Sequence, residues 1–232
     1  MTSKNKNSFL KHDSLTREAY NDIRKMIFSN KLKPGQKVPY RRMADGLNMS
    51  LTPVVQALKH MEFMGLVRHE QNKGFFIETV TPKEIDEAYK LRSMLEPVML
   101  AATIPKLDKK GEKKIGAALD EYLDACQTGS LKLKLVKDIQ FHMTMAELSD
   151  QKLSILIIRH LFDFLYLRFS QELIFSRPSE DAASAHSAIF KAIQVRDADT
   201  AIKLLQDHIS TIHKNALEGI QQRLSDLEEI IF

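Results

Sequence analysis

The stretch Pro39–Val67, PYRRMADGLNMSLTPVVQALKHMEFMGLV, constrains this chain more than any other. Val54, Ala57, Leu58, Met61 and Met64 recur at steps of three and four, the period of a helix with one buried face. A shorter helix precedes them, with a tight turn at Leu47–Met49 between the two. Ser50 stands where the second helix begins, and its hydroxyl is expected to accept from a first-turn N–H. Pro53 falls inside that turn, where a missing N–H costs little. Two short helices joined by an elbow, the second opening on Ser50 and Thr52 beside unpaired amides, form a helix-turn-helix that can meet phosphate and base edges.

The flanking residues complete a small unit. Residues 1–13 lack periodicity and read as a mobile arm. From Ser14 to Asn30, Ala19, Ile23, Met26 and Ile27 share one helical face, with Tyr20 beside it. Pro34-Gly35 is turn chemistry, and Val38 re-enters the core. Gly65 ends the second elbow helix. Two short extended runs, Leu66–Glu70 and Phe75–Val80, then flank the turn Gln71–Gly74, which makes a β-hairpin, or wing. Lys73 at its tip is placed to reach a phosphate, and Gly74 lets backbone approach a groove closely.

Charge separates this unit from the rest. Residues 1–80 carry 14 Lys+Arg against 7 Asp+Glu, whereas residues 81–232 carry 20 against 23. A polyanion would bind the basic part. Arg41, Arg42 and Lys59 read either as solvated charges or as DNA contacts. Gln56 reads either as helix filler or as a reader of an adenine edge.

Thr81-Pro82-Lys83-Glu84 opens a second domain, with Thr81 as cap and Pro82 in the first helical position. From there to Phe232 the pattern is helical throughout. Breaks at Lys106–Lys110, Gln127–Ser130, Ser149–Lys152, Ser176–Ser179 and Arg196–Asp199 leave about six helices, an all-α bundle. The fold class expected is mainly α: an N-terminal winged helix-turn-helix (14–80) and a C-terminal helical bundle (81–232). No apolar run approaches the ~20 residues of a membrane span. The polar start, MTSKNKNSFLKHD, lacks a signal peptide's apolar core, so a cytoplasmic protein is expected. The single cysteine, Cys126, excludes an intrachain disulfide and reads as a packing residue.

The second domain holds one constellation. Asp138 and His142 lie four residues apart, on one helical face. His186 shares a face with Ile189, Phe190 and Ile193, and His208 shares one with Ala201, Leu204, Leu205 and Ile212. Two inward histidines on adjacent helices can converge with the Asp138/His142 pair. One carboxylate and three imidazoles suit a divalent transition metal such as Zn, Ni or Fe; the other reading is core histidines with local partners. His160 and His213 fall outside the set.

Two resemblances sharpen these readings. YNDIRKMIFSNKLKPGQKV, MADGLNMSLTPVVQALKHMEFMGLV and NKGFFI resemble, in order, the winged-helix domain of the GntR family of bacterial transcription regulators. That family keeps Arg41 and Thr52 but commonly has Arg where this chain has Leu51 and Val55, which implies weaker phosphate contact and a different operator. Residues 83–222 resemble the FCD domain of the FadR subfamily, through Lys90-Leu91-Arg92 to Glu96, Asp138-x-x-Phe141-His142, His186-x-x-Ile189 and Arg196-Asp197 to His208-Ile209. The resemblance implies a metal, Zn or Ni, held by Asp138, His142, His186 and His208, with a small carboxylate effector on Arg92. Asp150 stands where the family usually has Asn.

The function expected is therefore a dimeric transcription regulator, commonly a repressor, that reads an inverted-repeat DNA operator under effector control. DNA contacts fall to Arg41, Arg42, Ser50, Thr52, Gln56, Lys59, Lys73 and Gly74. The rival is a helical metal-dependent hydrolase on the Asp/His3 set, which needs a general base that the spacing of neither Glu147 nor Glu180 guarantees. A DNA-compacting protein without a ligand is a third reading.

Overall fold

The computed structural model describes residues 3–29, 31–79, 81–169 and 180–230, in two compact units, Met1–Val80 and Thr81–Phe232. The first contains α1 (Ser3–Phe28), α2 (Tyr40–Gly46), α3 (Leu51–Phe63), β1 (Val67–Glu70) and β2 (Gly74–Ile77). The second contains α4 (Pro82–Thr103), a 3-10 turn (Ile104–Lys106), α5 (Lys109–Gln127), α6 (Leu131–Glu147), α7 (Lys152–Phe169), α8 (Glu180–Gln194) and α9 (Ala198–Ile230).

In the first unit, α1 and α3 pack against each other, with Ala19, Ile23 and Ile27 of one and Val54, Ala57, Leu58 and Met61 of the other buried. Both elbow helices end in the same way. Beyond α3, Gly65 adopts φ +68°, its N–H reaches the Glu62 carbonyl at 2.9 Å, and the Leu66 N–H reaches Met61 at 2.9 Å. Beyond α2, Asn48 takes φ 51°, with matching bonds from its own N–H to Asp45 (3.1 Å) and from Met49 to Ala44 (3.0 Å). These are Schellman endings, which occupy the carbonyls a helix C-terminus leaves over and turn the chain sharply. Met64 therefore lies at the cap of α3, half-buried, rather than in the core.

Three details differ from the sequence reading. The first helix begins at Ser3 rather than Ser14, so residues 3–13 continue α1 instead of forming an arm; they contain neither Pro nor Gly to stop it. Ser50 occupies the N-cap of α3 with extended backbone, but its hydroxyl makes no cap hydrogen bond. The loop after α1 contributes to the wing: Lys37 bridges Phe76, and the Val38 N–H donates to the Phe75 carbonyl at 2.8 Å. The hairpin itself pairs Val67 with Ile77 through Glu70 with Gly74, antiparallel.

The second unit opens on a complete capping box. The Thr81 hydroxyl accepts from the Glu84 N–H at 3.2 Å, and the Glu84 carboxylate accepts from the Thr81 N–H at 2.9 Å. Helix α4 runs against α9, α7 and α6, and buries Ile85, Ala88, Tyr89, Arg92, Glu96, Met99 and Leu100. Pro97 lies inside it, so the Ser93 carbonyl has no helical N–H donor. The six α-helices among the described residues match the helical segmentation; the expected break at Ser176–Ser179 lies outside the described residues. His213 stacks on Tyr89 with ring centroids 5.2 Å apart and places Nε2 3.1 Å from Asp86, a structural role.

The two glycines at the elbow's edges have opposite sensitivities. Gly65→Ala puts a side chain at positive φ and is expected to destabilise the first unit by ~1–2 kcal/mol. Gly46→Ala, in a helix with open space around the site, is expected to stabilise by ~0.5–1 kcal/mol. Urea denaturation followed by amide exchange in α3 and β1 checks both.

Candidate metal centre and nucleic-acid interface

Helix periodicity brings four side chains to one point in the second unit. Asp138 and His142 project from one face of α6, His186 from α8 and His208 from α9, and one ligand atom from each lies within 4.8 Å of every other. His186 Nε2 stands 3.2 Å from His142 Nε2, 3.0 Å from His208 Nε2 and 3.4 Å from Asp138 Oδ1. The three histidines are buried and Asp138 is half-buried. Rings of Tyr122 (4.5 Å) and Phe141 (4.6 Å) pack against His186 and keep water from it.

The donor set fits a divalent cation. His142 Nδ1 sits 2.6 Å from Glu96 Oε2 and donates its proton there, which leaves the Nε2 lone pair facing the other two imidazoles. Three mutually facing imidazole nitrogens cannot all be satisfied by sharing protons. Ligand bonds of ~2.0–2.1 Å to one ion place neighbouring donor atoms roughly 3 Å apart, the spacing found here. Among the described residues His186 Nδ1 is buried without a hydrogen-bond partner.

Glu96 also engages Arg92. Arg92 Nε donates to Glu96 Oε1 at 2.6 Å, so the carboxylate bridges a guanidinium and a candidate ligand. Arg92, the residue expected to hold the effector carboxylate, lies in the bundle core. It is 3 % exposed, but its Nε is taken by Glu96; Nη2 is buried and has no hydrogen-bond partner among the described residues. The guanidinium carbon lies 4.7 Å from the Phe162 ring centre and 5.2 Å from that of Tyr89. Sequence reasoning assigned Glu96 no chemistry of its own. The available signal was an Arg and a Glu four residues apart on the otherwise apolar face of α4.

Electrostatics follow from burial. Desolvation would raise Glu96, but Arg92 and His142 bring its carboxyl down to about 2. Burial raises the Asp138 carboxyl against the pull of His142 and Arg92. Burial, then the facing imidazoles, lowers His186 well below the ordinary histidine value, and burial and His142 do the same to His208. Both histidines are held as neutral bases, the form that ligates a metal.

In the first unit the sequence-selected DNA residues lie on α2, α3 and the wing. Arg41 and Arg42 on α2, and Ser50, Thr52, Gln56 and Lys59 on α3, are exposed, as is Lys73 in the wing turn. Among the described residues Arg41 and Arg42 carry no ion pair, whereas Lys59 pairs with Glu62 at 2.7 Å and Lys73 with Glu70 at 3.1 Å. Gln56 accepts from the Thr16 hydroxyl at 3.0 Å. Gly74 takes φ +99°, and a Cβ there would meet the Tyr40 ring at 3.3 Å. Phe75 gathers the three elements, with Tyr40 of α2 edge-on at 5.8 Å and Lys59 of α3 over its ring at 5.4 Å. Leu51 is exposed and Val55 half-buried, so neither position offers a cation.

Comparison with known proteins agrees with both halves. Residues 15–77 match the bacterial regulatory proteins of the gntR family, and residues 87–211 match the FCD domain. The chain is 23% identical over 192 residues to YdhC of Bacillus subtilis, an uncharacterised HTH-type transcriptional regulator, covering 82% of this chain and 86% of that one. It is 20% identical over 216 residues to the transcriptional repressor RspR of Escherichia coli, covering 91% and 92%. Among solved structures, a GntR transcriptional regulator from a Rhodococcus species superposes with a TM-score of 0.78 at 21% identity, over 88% of this chain and 98% of that one, which shows the shared fold.

The depressed histidines set a pH dependence in metal-stripped protein. Between their folded values and ~6.5 the unfolded chain binds more protons than the native one, so stability is full above that range and falls as pH drops through it. Asp138 contributes with the opposite sign, one group against two. Urea midpoints of the helical unit are expected to fall from pH 7.5 to 5.5, at up to ~1.4 kcal/mol per pH unit for each histidine, and His208→Gln is expected to flatten the slope.

Proposed function

This chain belongs to the gntR family of bacterial regulatory proteins, with an FCD domain as its second half, and is a DNA-binding transcription regulator; from that premise we propose a repressor of the FadR kind whose operator binding answers to a small carboxylate held beside a metal ion. The observation that carries the sensing half is the convergence of Asp138, His142, His186 and His208 on one point. When bound, the ion supplies a fixed positive charge that orients an anion in the bundle. The protein does the rest: Asp138 and the three imidazoles hold the cation, Glu96 orients His142, and the unengaged Nη2 of Arg92 offers a donor to a carboxylate oxygen. Zinc or nickel suits this imidazole-rich set. The hydrolase reading is set aside, because the relatives are transcription regulators and not enzymes.

For DNA, α3 enters the major groove with its uncapped first turn towards phosphate, while Arg41, Arg42 and Lys73 reach the backbone. Thr52 and Gln56 are the candidates for base edges. Two heads on one inverted repeat require a homodimer. An apolar stripe supports self-association in the second unit: Leu91, Met94 and Val98 on α4 and Leu153, Leu156 and Ile157 on α7 are all exposed, and α4 packs beside α7.

Two measurements test this reading. Purified protein is expected to shift a duplex from its own promoter region as a dimer by sedimentation, and Arg41→Ala is expected to weaken binding and reduce the log–log salt slope by about one; an unchanged slope removes Arg41 from the interface. His186→Ala combined with His208→Ala is expected to lower bound metal in elemental analysis to background. Undiminished metal would place it elsewhere.

A further inference from the structure

Glu96 is an unusual carboxylate for a metal centre, because its two oxygens serve two different sites. Oε1 accepts from Arg92 Nε and Oε2 from His142 Nδ1, each at 2.6 Å, and the side chain is 4 % exposed. All three residues are buried, so neither bond is exchanged with water. Arg92 nonetheless retains one buried donor, Nη2, with no hydrogen-bond partner among the described residues. The charge on Glu96 is therefore divided between a guanidinium with one buried, unengaged donor and an imidazole whose other nitrogen faces the candidate cation position.

We propose that Glu96 is a positioning residue that couples the two ligands, so that an anion arriving on Arg92 strengthens the hold of His142 on the metal. This rests on the reading of a carboxylate beside a metal. The sign follows from charge sharing. An anion on Nη2 draws guanidinium charge away from Glu96 Oε1, and the freed negative charge on Glu96 strengthens the Oε2···H–Nδ1 bond. A stronger acceptor on Nδ1 makes the opposite Nε2 a better electron-pair donor. Linkage is reciprocal, so the metal raises the affinity for the anion by the same factor. No proton needs to leave His142, and no residue needs to change position by more than a hydrogen-bond adjustment.

The discriminating variant is Glu96→Gln, which keeps the shape but cannot accept from both neighbours. Zinc affinity is measured on the full chain by chelator competition with and without sodium acetate, corrected for the weak complex between acetate and zinc in solution. In the wild type acetate is expected to tighten zinc binding about 5-fold or more. In Glu96→Gln zinc binding is expected to weaken ~10–100-fold, with the acetate effect lost. A weaker zinc site that keeps the full acetate effect overturns the proposal, since acetate would then act by touching the metal directly. Absence of any acetate effect in a wild type that binds zinc also overturns it while leaving the metal centre standing; a wild type that binds no zinc fails the underlying reading instead. Because Glu96→Gln leaves Arg92 partly unpaired and can unfold the bundle, a second measurement uses only the wild type. In zinc-loaded protein the His142 Nδ1–H proton resonance is expected to move downfield as acetate is added, and a resonance that stays put at saturation refutes the coupling.

Discussion

A guanidinium cannot be left bare in an apolar core, and the second unit is arranged around answering one. Arg92 is enclosed by Tyr89 and Phe162 and can stay charged there only with a counter-ion held against it. Glu96, one turn along α4, supplies it, and its second oxygen fixes the ring of His142 on α6. Removing either member of such a pair leaves a buried charge uncompensated, which costs ~3–5 kcal/mol in comparable cases. The relative setting of α4 and α6 is thus dictated by one charge, and the cluster with His186 and His208 closes on the imidazole so placed. The buried ion pair and the candidate ligand set share the same few atoms.

What could be read in the sequence was whatever is decided locally. The elbow was legible because Pro, Ser and Gly act within a turn, and the paired endings at Asn48 and Gly65 follow from residues that tolerate positive φ. The face shared by Asp138 and His142 follows from helical period alone. Their meeting with His186 and His208 does not: periodicity says which way a side chain points, but only packing of α6, α8 and α9 sets the 3.0–3.4 Å spacings. The bond from Glu96 to His142 spans 46 positions, beyond any local rule. The bridge from Lys37 to Phe76 was missed for the same reason, since a single pairing has no alternating pattern to announce it. Ser50 failed in the other direction. Its type suits a cap, yet its hydroxyl is not used as one.

The first unit solves a different problem, presenting cations on very little structure. Phe75 anchors the wing against Tyr40, and the ammonium of Lys59 lies over its ring, so one buried aromatic touches three elements that carry exposed basic groups. Lys59 and Lys73 are paired with Glu62 and Glu70. Such exposed pairs are weak and easily exchanged. Among the described residues Arg41 and Arg42 carry no ion pair, so they have no carboxylate partner to give up.

Pro97 follows Glu96 directly in α4, and with no N–H to give it leaves the Ser93 carbonyl outside the helical ladder. A rod with one rung missing bends there at less expense than elsewhere. The missing rung lies beside Glu96, the residue proposed to couple the two candidate ligands. Small adjustments of Glu96 therefore act on the softest point of α4, where they can alter the angle between its two halves while the hydrogen bonds on either side stay closed.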